Sequence, residues 1–224
     1  MKTSIIVPAH NEEKSIKKFL LKLSDNFKNS EIIVVCNGCT DRTPEIVKSI
    51  KRKNIKSVIL PEKGKGRAIL AGLSLAKGDY LGFVDADGSF SPEDIKKILN
   101  ELKNSKCVIA SKWKGKKFSE VDWPLGRKLA GRIWNFLANF LLSLNVKDTQ
   151  AGLKFFTREV WEKLDKNFIC KGFEFDVELL KKIKDKRFEI KEAYVPVKKT
   201  DKTTFSFRST PKMFFNLIRI WMGV

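Results

Sequence analysis

The chain alternates short apolar runs with amphipathic helical patterns through its first half, and this alternation constrains the fold more than any other feature. Apolar runs rich in β-branched residues occupy residues 4–7, 31–35, 57–60, 80–84 and 107–110. Each run is too short for a helix, whereas residues 16–23 and 69–76 carry apolar side chains at helical spacing. Strand and helix in repeated order predict an α/β fold with a mostly parallel sheet covered by helices on both faces.

The second half of the chain follows a different pattern. Residues 127–146 are rich in Leu, Phe and Trp at helical spacing and predict a long amphipathic helix. A further α/β stretch runs over residues 151–196, and residues 211–224 predict a last amphipathic helix after a polar loop. We therefore expect one domain over residues 1–196, followed by the loop and C-terminal helix in residues 197–224.

The charge balance calls for an anionic partner. The chain has 45 Lys and Arg against 26 Asp and Glu, a formal net charge of +19. Nucleic acid, an anionic membrane surface and a substrate with several phosphates would each suit this excess. No run approaches the ~18 to 20 apolar residues of a membrane-spanning helix. The start of the chain breaks its apolar run at Pro8 and lacks the pattern of a secretory signal. We expect a protein that sits on a membrane without crossing it.

The cysteines do not form a disulfide or zinc framework. There are four of them, Cys36, Cys39, Cys107 and Cys170, and one histidine, His10. Their spacing disfavours a zinc site and fits a reduced, cytoplasmic location. The C-x-x-C at residues 36–39 leaves a thioredoxin-like redox motif as a rival hypothesis.

Two carboxylates follow the fourth apolar run. Asp85 and Asp87 stand at i and i+2 directly after residues 80–84. The strand period of two directs both side chains the same way at the carboxyl edge of the sheet. Two carboxylates completed by phosphate oxygens are typical of Mg²⁺ or Mn²⁺ sites. The pattern predicts a divalent cation there, with a solvated Asp-x-Asp-Gly turn as the alternative.

Polar segments also follow the first three strands. Pro-Ala-His-Asn-Glu at residues 8–12 and Cys-Asn-Gly at residues 36–38 offer short polar groups to a nucleobase and ribose. Gly-Lys-Gly-Arg at residues 64–67 opens a helix with glycines and cations, which suits phosphate binding at a positive helix end. Parallel sheets bind ligands beyond the carboxyl ends of their strands, so these segments predict one shared site.

Taken in order, these motifs resemble those of family 2 glycosyltransferases with the GT-A (Rossmann-like) fold. The matching runs are Val-Pro-Ala-His-Asn-Glu at 7–12, Asn-Gly-Cys-Thr-Asp at 37–41, Gly-Lys-Gly-Arg-Ala at 64–68 and Asp-Ala-Asp at 85–87. Residues 147–158 and 173–180 resemble the dolichyl-phosphate glucose and mannose synthase branch, the glucose side more closely. The resemblance covers nearly the whole chain.

The resemblance implies a site for a nucleotide diphosphate sugar. Its residues would be Pro8, Ala9, His10, Glu12, Asn37, Lys65, Arg67, Asp85, Ala86 and Asp87. Asp85 and Asp87 would hold Mg²⁺ or Mn²⁺, with Ser89 at the position of a third ligand, where mannose synthases tend to have Gln. The family usually has an acidic pair where this chain has Cys36 and Asn37, and the preferred base is therefore left open; the Asn37 amide offers a base edge both a donor and an acceptor.

A phosphate acceptor requires cations instead of a base. A phosphate monoester is already anionic near neutral pH, so it needs positioning and no deprotonation. Candidate cations for the acceptor phosphate are Lys112, Arg127, Lys198 and Lys199. Lys112 and Arg127 complete a catalytic set with Asp85 and Asp87.

The two long apolar stripes suggest contact with lipid. Helix 127–146 and the segment 211–224 each present a broad apolar face, and Lys212 and Arg219 are available to lipid headgroups. Burial of the same stripes in the protein core is the alternative.

These features lead to one functional hypothesis and two alternatives. We expect an inverting, metal-dependent transfer of a hexose from UDP-glucose or GDP-mannose to a polyprenyl or dolichyl phosphate, by a protein peripheral on the cytoplasmic face of a membrane. A glycosyltransferase acting on a hydroxyl acceptor, with Glu174 or Asp176 as base, is the first alternative. The second is a non-catalytic basic module for nucleic acid. It is disfavoured because the aromatic residues cluster in apolar stripes and no nucleic-acid signature is present.

Overall fold

The computed structural model describes residues 2–197 and 210–223, and the side chains of all of these except residues 210–212. The strands are β1 (Thr3–Ala9), β2 (Glu31–Asn37), β3 (Ile55–Leu60), β4 (Tyr80–Val84), β5 (Cys107–Ser111), β6 (Leu153–Thr157) and β7 (Ile190–Tyr194). The helices are α1 (Ile16–Asn26), α2 (Thr43–Ser49), α3 (Lys65–Leu75), α4 (Pro92–Leu102), α5 (Leu125–Leu142), α6 (Arg158–Lys163), α7 (Phe175–Asp185) and α8 (Thr210–Met222).

The strands form one seven-stranded sheet in the order β3-β2-β1-β4-β6-β5-β7. β6 pairs antiparallel with β4 and β5, and the other described pairings are parallel. Six strands therefore end at the same edge of the sheet, where β6 begins. This arrangement brings the residues before β6 next to those that follow β4 and β5.

Helices cover both faces of the sheet because the strand residues are apolar on both sides. Ile5 and Val7 of β1 belong to the apolar cluster on the side of the sheet covered by α1, α2 and α4. Ile6 belongs to the cluster on the other side, which includes residues of α3, α5, α6, α7 and α8. Continuous apolar runs of this kind are typical of strands buried on both faces. The predicted α/β fold with a mostly parallel sheet is confirmed.

Most predicted elements of the first half agree with the observed ones to within a few residues at each end, and α5 ends earlier than predicted. The five strands predicted in the first half are all present, and α4 begins with Pro92 after the capping box of Ser91 and Asp94. α5 covers Leu125–Leu142 in place of the predicted residues 127–146. It ends early because Ser143 and Asn145 adopt left-handed backbone conformations that do not continue a helix.

None of the helices in residues 2–197 and 210–223 combines the length and the hydropathy that a membrane-spanning helix requires.

Candidate functional site

A cleft of about 660 Å³ opens at the carboxyl edge of β1, β2 and β4. It is lined by nine of the residues predicted for the nucleotide site, namely Pro8, His10, Glu12, Asn37, Lys65, Arg67, Asp85, Ala86 and Asp87. The opposite wall comes from residues 169–174 and from α8. The sheet topology thus gathers side chains that are far apart in the sequence, as expected where parallel strands end.

The end of β1 is fixed by the side chain of Asn37. Asn37 Nδ2 donates to the Ala9 carbonyl at 2.8 Å, and Asn37 Oδ1 accepts from Gly64 N at 3.0 Å. His10 Nδ1 donates to the Asn37 carbonyl at 2.8 Å. Ala9 is fully buried and acts here through its carbonyl. The amide of Asn37 therefore joins three segments of the protein, which leaves it less able to read a nucleobase than the sequence suggested.

The N-terminus of α3 packs tightly against the loop before α7. A Cβ atom on Gly66 would lie 2.6 Å from Phe175 Cβ, so glycine is required for this approach. Gly66 N and Arg67 N donate to the carbonyls of Gly172 and Lys171, each at 3.2 Å. These amides of the helix end bind protein carbonyls, so the predicted phosphate binding there falls to side chains.

Asp85 belongs to a chain of four charged side chains. Lys65 Nζ lies 2.9 Å from Asp85 Oδ1 and 3.2 Å from Asp176 Oδ2, and Lys154 Nζ lies 2.5 Å from Asp176 Oδ1. Although burial alone would raise the pKa of Asp176, the attraction of Lys154 and Lys65 lowers it below the ordinary aspartate value. The pKa of Lys65 is raised by Asp176 and Asp85 against the effect of burial. Burial raises the pKa of Asp85 above the ordinary aspartate value, against the attraction of Lys65.

The two carboxylates of the Asp-x-Asp motif both face the cleft and suit a hard divalent cation. Asp87 Oδ1 accepts from Ser89 N at 2.9 Å, and Ser89 is buried behind it outside the cleft lining. Within the described part of the chain, no group of three His, Cys, Asp or Glu side chains is placed to hold a metal ion. Mg²⁺ and Mn²⁺ are commonly held by one or two carboxylates with phosphate oxygens, so the donor set fits such an ion when a diphosphate is present.

Helix α8 forms one wall of the cleft. Met213, Asn216 and Arg219 line it. Asn216 Nδ2 donates to Glu174 Oε1 at 3.3 Å. Within residues 2–197 and 210–223, no ion pair joins Arg219 to another side chain. Arg219, assigned to lipid headgroups from the sequence, thus lies on the cleft side of α8.

A second cationic group lies farther along the same edge. Lys112 Nζ pairs with Asp148 Oδ2 at 2.9 Å and lies 5.5 Å from the centre of the Trp123 ring. Arg127 Cζ lies 4.6 Å from the centre of the same ring. Lys112 directly follows β5, and the β5 backbone is two strands, about 10 Å, from that of β4. Neither Lys112 nor Arg127 is among the residues that line the cleft. Lys198 and Lys199, the other predicted acceptor cations, lie outside the described residues.

The cysteine pair has the properties of structural thiols. Cys36 and Cys39 are both free. Burial raises the pKa of Cys36 to about 12 and also raises that of Cys39. Reactive cysteines have lowered pKa values, so the redox hypothesis has no support in this geometry.

Three functional-site residues were not found from the sequence. Lys154 and Asp148 received no role, and Asp176 was considered only as a base. The only local signal for Lys154 is a lysine within the apolar run Leu-Lys-Phe-Phe of β6. A charged residue in a buried strand is rare unless it is paired, so this pattern could have predicted a partner for Lys154 without identifying it.

Comparison with protein families gives a match over most of the chain. The model described as "Glycosyl transferase family 2" matches residues 4–165. Dolichyl-phosphate beta-glucosyltransferase ALG5D of Trichomonas vaginalis is 32% identical over 235 aligned positions, which cover 97% of this chain and 72% of that protein. Low-salt glycan biosynthesis hexosyltransferase Agl6 of Haloferax volcanii is 30% identical over 195 positions, 84% of this chain and 46% of that protein.

Solved structures with the same fold include glucosyl-3-phosphoglycerate synthase from Mycobacterium tuberculosis. A complex of that enzyme superposes with a TM-score of 0.76 and 21% identity, covering 99% of this chain and 79% of the other. A second complex gives a TM-score of 0.73 at 20% identity, with 100% and 79% of the two chains covered. The similarity places the sheet and its helices in the GT-A fold.

Proposed function

The chain belongs to glycosyl transferase family 2, and from this we propose that it transfers a hexose, with inversion, from a nucleotide diphosphate sugar to a polyprenyl or dolichyl phosphate. UDP-glucose is the preferred donor in this proposal, and GDP-mannose is the other candidate. The transfer would take place at the surface of a membrane.

One observation carries the proposal. The acidic pair Asp85 and Asp87 faces the cleft, whereas Lys112 follows β5, two strands from β4 at the same sheet edge, and shares the Trp123 ring with Arg127. The first pair suits a diphosphate with its cation, and the second suits an anionic acceptor. A donor and an acceptor that are both phosphorylated match this separation of charge.

A divalent cation would be held by Asp85 and Asp87. When bound, Mg²⁺ or Mn²⁺ offsets the negative charge that develops on the departing diphosphate. The mycobacterial structural neighbour was crystallised with Mn²⁺ and UDP-glucose, and we extend this ligand class to the present chain as part of the proposal.

The protein side chains would bind and orient the reactants. Lys65 and Arg219 face the cleft and would attract the diphosphate. Lys112 is held by Asp148 and by the Trp123 ring, so its ammonium is fixed in place to receive the acceptor phosphate. Since that phosphate is already ionised, no general base is needed, and these side chains contribute by positioning the reactants.

Asp176 is unsuited to the role of a general base. It is buried, and each of its carboxylate oxygens pairs with a lysine. This arrangement favours a phosphate acceptor over a hydroxyl acceptor that would rely on Asp176.

The membrane surface is part of the proposal and is supported by the outer faces of α5 and α8. On α5, Phe136 and Phe140 stack with their ring centres 6.2 Å apart and are 66% and 73% exposed. The other large apolar residues exposed on these helices are Leu125, Leu129, Ile133, Phe214, Phe215, Trp221 and Met222. An apolar face of this extent is typical of helices that lie in a membrane interface.

A cytoplasmic location is also proposed. The four cysteines are free thiols, as expected in a reducing compartment. The membrane face would therefore be the cytoplasmic one.

The relatives support the same acceptor class. The Trichomonas protein is named for transfer of glucose to dolichyl phosphate, and the Haloferax protein is named as a hexosyltransferase. We assign the corresponding class of reaction to this chain as a proposal.

Transfer to lipid can be tested directly with labelled donors. The protein is incubated with labelled UDP-glucose or GDP-mannose and polyprenyl phosphate, and the organic phase is extracted. We expect label in that phase with the phosphate and none with the matching polyprenyl alcohol. Asp85→Ala and Asp87→Ala should each lose at least about a hundredfold of the activity, because the diphosphate loses its cation.

The folding of both variants is checked by thermal unfolding, and Glu189→Gln, on an exposed surface, serves as the control. Full activity in the presence of a chelator would exclude the metal role. Transfer to a sugar hydroxyl without transfer to the lipid would exclude the proposed acceptor.

A hydroxyl acceptor remains the second candidate because of Glu174. This residue lines the cleft and is held by Asn216. Glu174→Gln should abolish transfer to a hydroxyl, since a base is then required. The same variant should leave transfer to a phosphate within about tenfold of the unchanged protein.

A further inference from the structure

A line of alternating charges runs from the interior of the protein to the cleft. In order, its members are Lys154, Asp176, Lys65 and Asp85, whose side chains are 1%, 2%, 13% and 31% exposed. Lys154 lies on β6, and Asp176 lies on α7, on the side of the sheet that carries α3. The innermost lysine does not reach the cleft, and nothing in the proposed reaction uses it directly.

Asp176 has one lysine on each of its two oxygens. Oδ1 pairs with Lys154 and Oδ2 pairs with Lys65. Lys154 Nζ also donates to the Ala151 carbonyl at 2.6 Å, so its position does not depend on contacts with the cleft. The charge of Asp176 is therefore already balanced by Lys154.

We propose that Lys154 is a positioning residue that neutralises Asp176, so that the charge of Lys65 is directed to the cleft. Lys65 then acts as the counter-ion of Asp85, and its ammonium turns to the diphosphate when a donor and a divalent cation arrive. This inference rests on the proposed function, because it takes the ligand of the cleft to be a nucleoside diphosphate with its cation.

Removing the charge of Lys154 should move Lys65 inward. Asp176 would then be balanced by Lys65 alone, because an unpaired carboxylate in a low-dielectric interior is highly unfavourable. Asp85 would lose its counter-ion, which makes it a better ligand for a divalent cation. The cleft would also lose positive charge, which weakens its attraction for a diphosphate. The two affinities are thus expected to change in opposite directions.

Two binding measurements test this expectation without any turnover. UDP binding, with GDP in parallel, is measured by calorimetry in the absence of metal. Mn²⁺ binding is measured by paramagnetic resonance of the free ion in the absence of nucleotide. Lys154→Met should weaken UDP binding about tenfold and tighten Mn²⁺ binding several-fold. The reason is that the Lys65 ammonium moves away from Asp85 and the cleft towards Asp176, a change of one charge within a few ångströms of both ligands.

Matched variants separate charge from structure. Asp176→Asn should have the reverse effect and tighten UDP binding while it weakens Mn²⁺ binding. Without the Asp176 charge, the Lys65 ammonium interacts only with Asp85 and with ligands in the cleft. The double variant Lys154→Met with Asp176→Asn removes both charges and should return both affinities to within about threefold of the unchanged protein. Lys154→Arg keeps the charge, so both affinities should also stay within about threefold of those of the unchanged protein. Lys106→Met, which breaks the surface pair with Glu159, should change neither affinity.

A merely structural role for Lys154 predicts a different outcome. It would lower both affinities together, or lower only the thermal stability, and either result overturns the inference. If Lys154→Met does not fold, Asp176→Asn must still bind UDP more tightly than the double variant does. If the unchanged protein binds neither UDP nor GDP even after Mn²⁺ is added, the proposed donor is wrong, and the Mn²⁺ measurements alone decide the inference.

Discussion

Individual residues at the cleft are held by contacts too close to allow substitution. Asp85 N donates to the Gly152 carbonyl at 2.9 Å, which joins the end of β4 to the start of β6. The Asp85 carboxylate lies against the Cα of Gly152, in the space that a Cβ atom would fill. The glycine before β6 is therefore part of the acidic site, although it carries no functional group.

Gly152→Ala should remove most of the activity with little change in fold. The added methyl group would overlap the Asp85 carboxylate and push it from its position beside Lys65. We expect a loss of about a hundredfold in kcat/KM, as is usual when a reacting group moves by about 1 Å. Transfer assays and thermal unfolding check this.

The matched control for this variant is Gly131→Ala on α5, where a Cβ atom would meet nothing within 4 Å. Alanine favours the helix there by up to about 1 kcal/mol. Unchanged activity in Gly152→Ala would show that Asp85 tolerates displacement.

Glu31, at the start of β2, should make stability depend on pH. It accepts hydrogen bonds from Ser4 Oγ at 2.5 Å and from Lys56 Nζ at 3.2 Å, and another from Lys77 N. Burial alone would raise the pKa of Glu31, but these bonds lower it below the ordinary value. Its stabilisation is therefore present above the pKa of the unfolded chain and is lost as the pH falls through the lowered pKa.

Glu31→Gln should lower the free energy of unfolding by about 1.5–3 kcal/mol at pH 7, since hydrogen bonds to a charged group are lost. The difference from the unchanged protein should shrink as the medium becomes more acidic than the ordinary range of a glutamate. Urea unfolding over a series of pH values measures it, with the exposed Glu189→Gln as control. A difference independent of pH would contradict the role of the charge.

Among the elements, α5 has two faces that the sequence did not separate. The polar residues Asn135 and Asn139 interrupt its apolar stripe, but they face inward. Both donate to the Val146 carbonyl, at 2.9 and 2.8 Å, and Asn135 Oδ1 accepts from Thr149 N at 3.0 Å. These bonds secure the loop that carries Asp148 and leads to β6. The helix therefore supports the site with one face and leaves an apolar face to the outside.

Helix α8 should contribute to donor binding through Arg219. If the guanidinium meets the diphosphate, Arg219→Ala should raise the donor KM about ten- to a hundredfold, as expected for the loss of a charge-assisted hydrogen bond. Arg219→Lys keeps the charge and should recover part of the affinity. Initial rates over a range of donor concentrations measure both. If Arg219→Ala instead weakens binding to vesicles and leaves the donor KM unchanged, Arg219 contacts lipid headgroups, as expected from the sequence, and does not bind the donor.

The whole molecule combines a large positive charge with the exposed apolar face of α5 and α8. The net charge of +19 attracts anionic surfaces in general. On a membrane, the apolar face would determine which side of the protein makes contact, because burying it in lipid is favourable by about 25 cal/mol per Å². The two features together predict a preference for anionic membranes.

Vesicle binding tests this prediction. The protein should sediment with vesicles containing phosphatidylglycerol, more weakly with phosphatidylcholine alone, and more weakly still in about 0.5 M salt. The pair of substitutions Phe136→Glu and Phe140→Glu should reduce binding at least about tenfold without lowering stability, because both side chains are already exposed. The control is Leu75→Glu, an exposed apolar residue at the end of α3. Equal loss in the control would show that charge alone drives binding.

The amino-acid sequence by itself determined the layout of the fold and the positions of the strand ends. Periods of two and 3.6 residues are local, and they predicted the alternation of strands and helices. Because parallel strands end at one edge, they also predicted that Asp85, Asn37 and His10 would meet. No role was predicted for Lys154, although a lysine within an apolar strand is a local signal, since a charge in a buried strand needs a partner.

Only the tertiary structure decided which groups pair. Lys65 contacts both Asp85 and Asp176, the amides at the start of α3 are taken by the carbonyls of residues 171–172, and Arg219 faces the cleft. Each of these contacts joins segments that are distant in the sequence. Periodicity describes one element at a time, whereas the choice of partner depends on how the elements pack and on which charges remain to be balanced once they are buried.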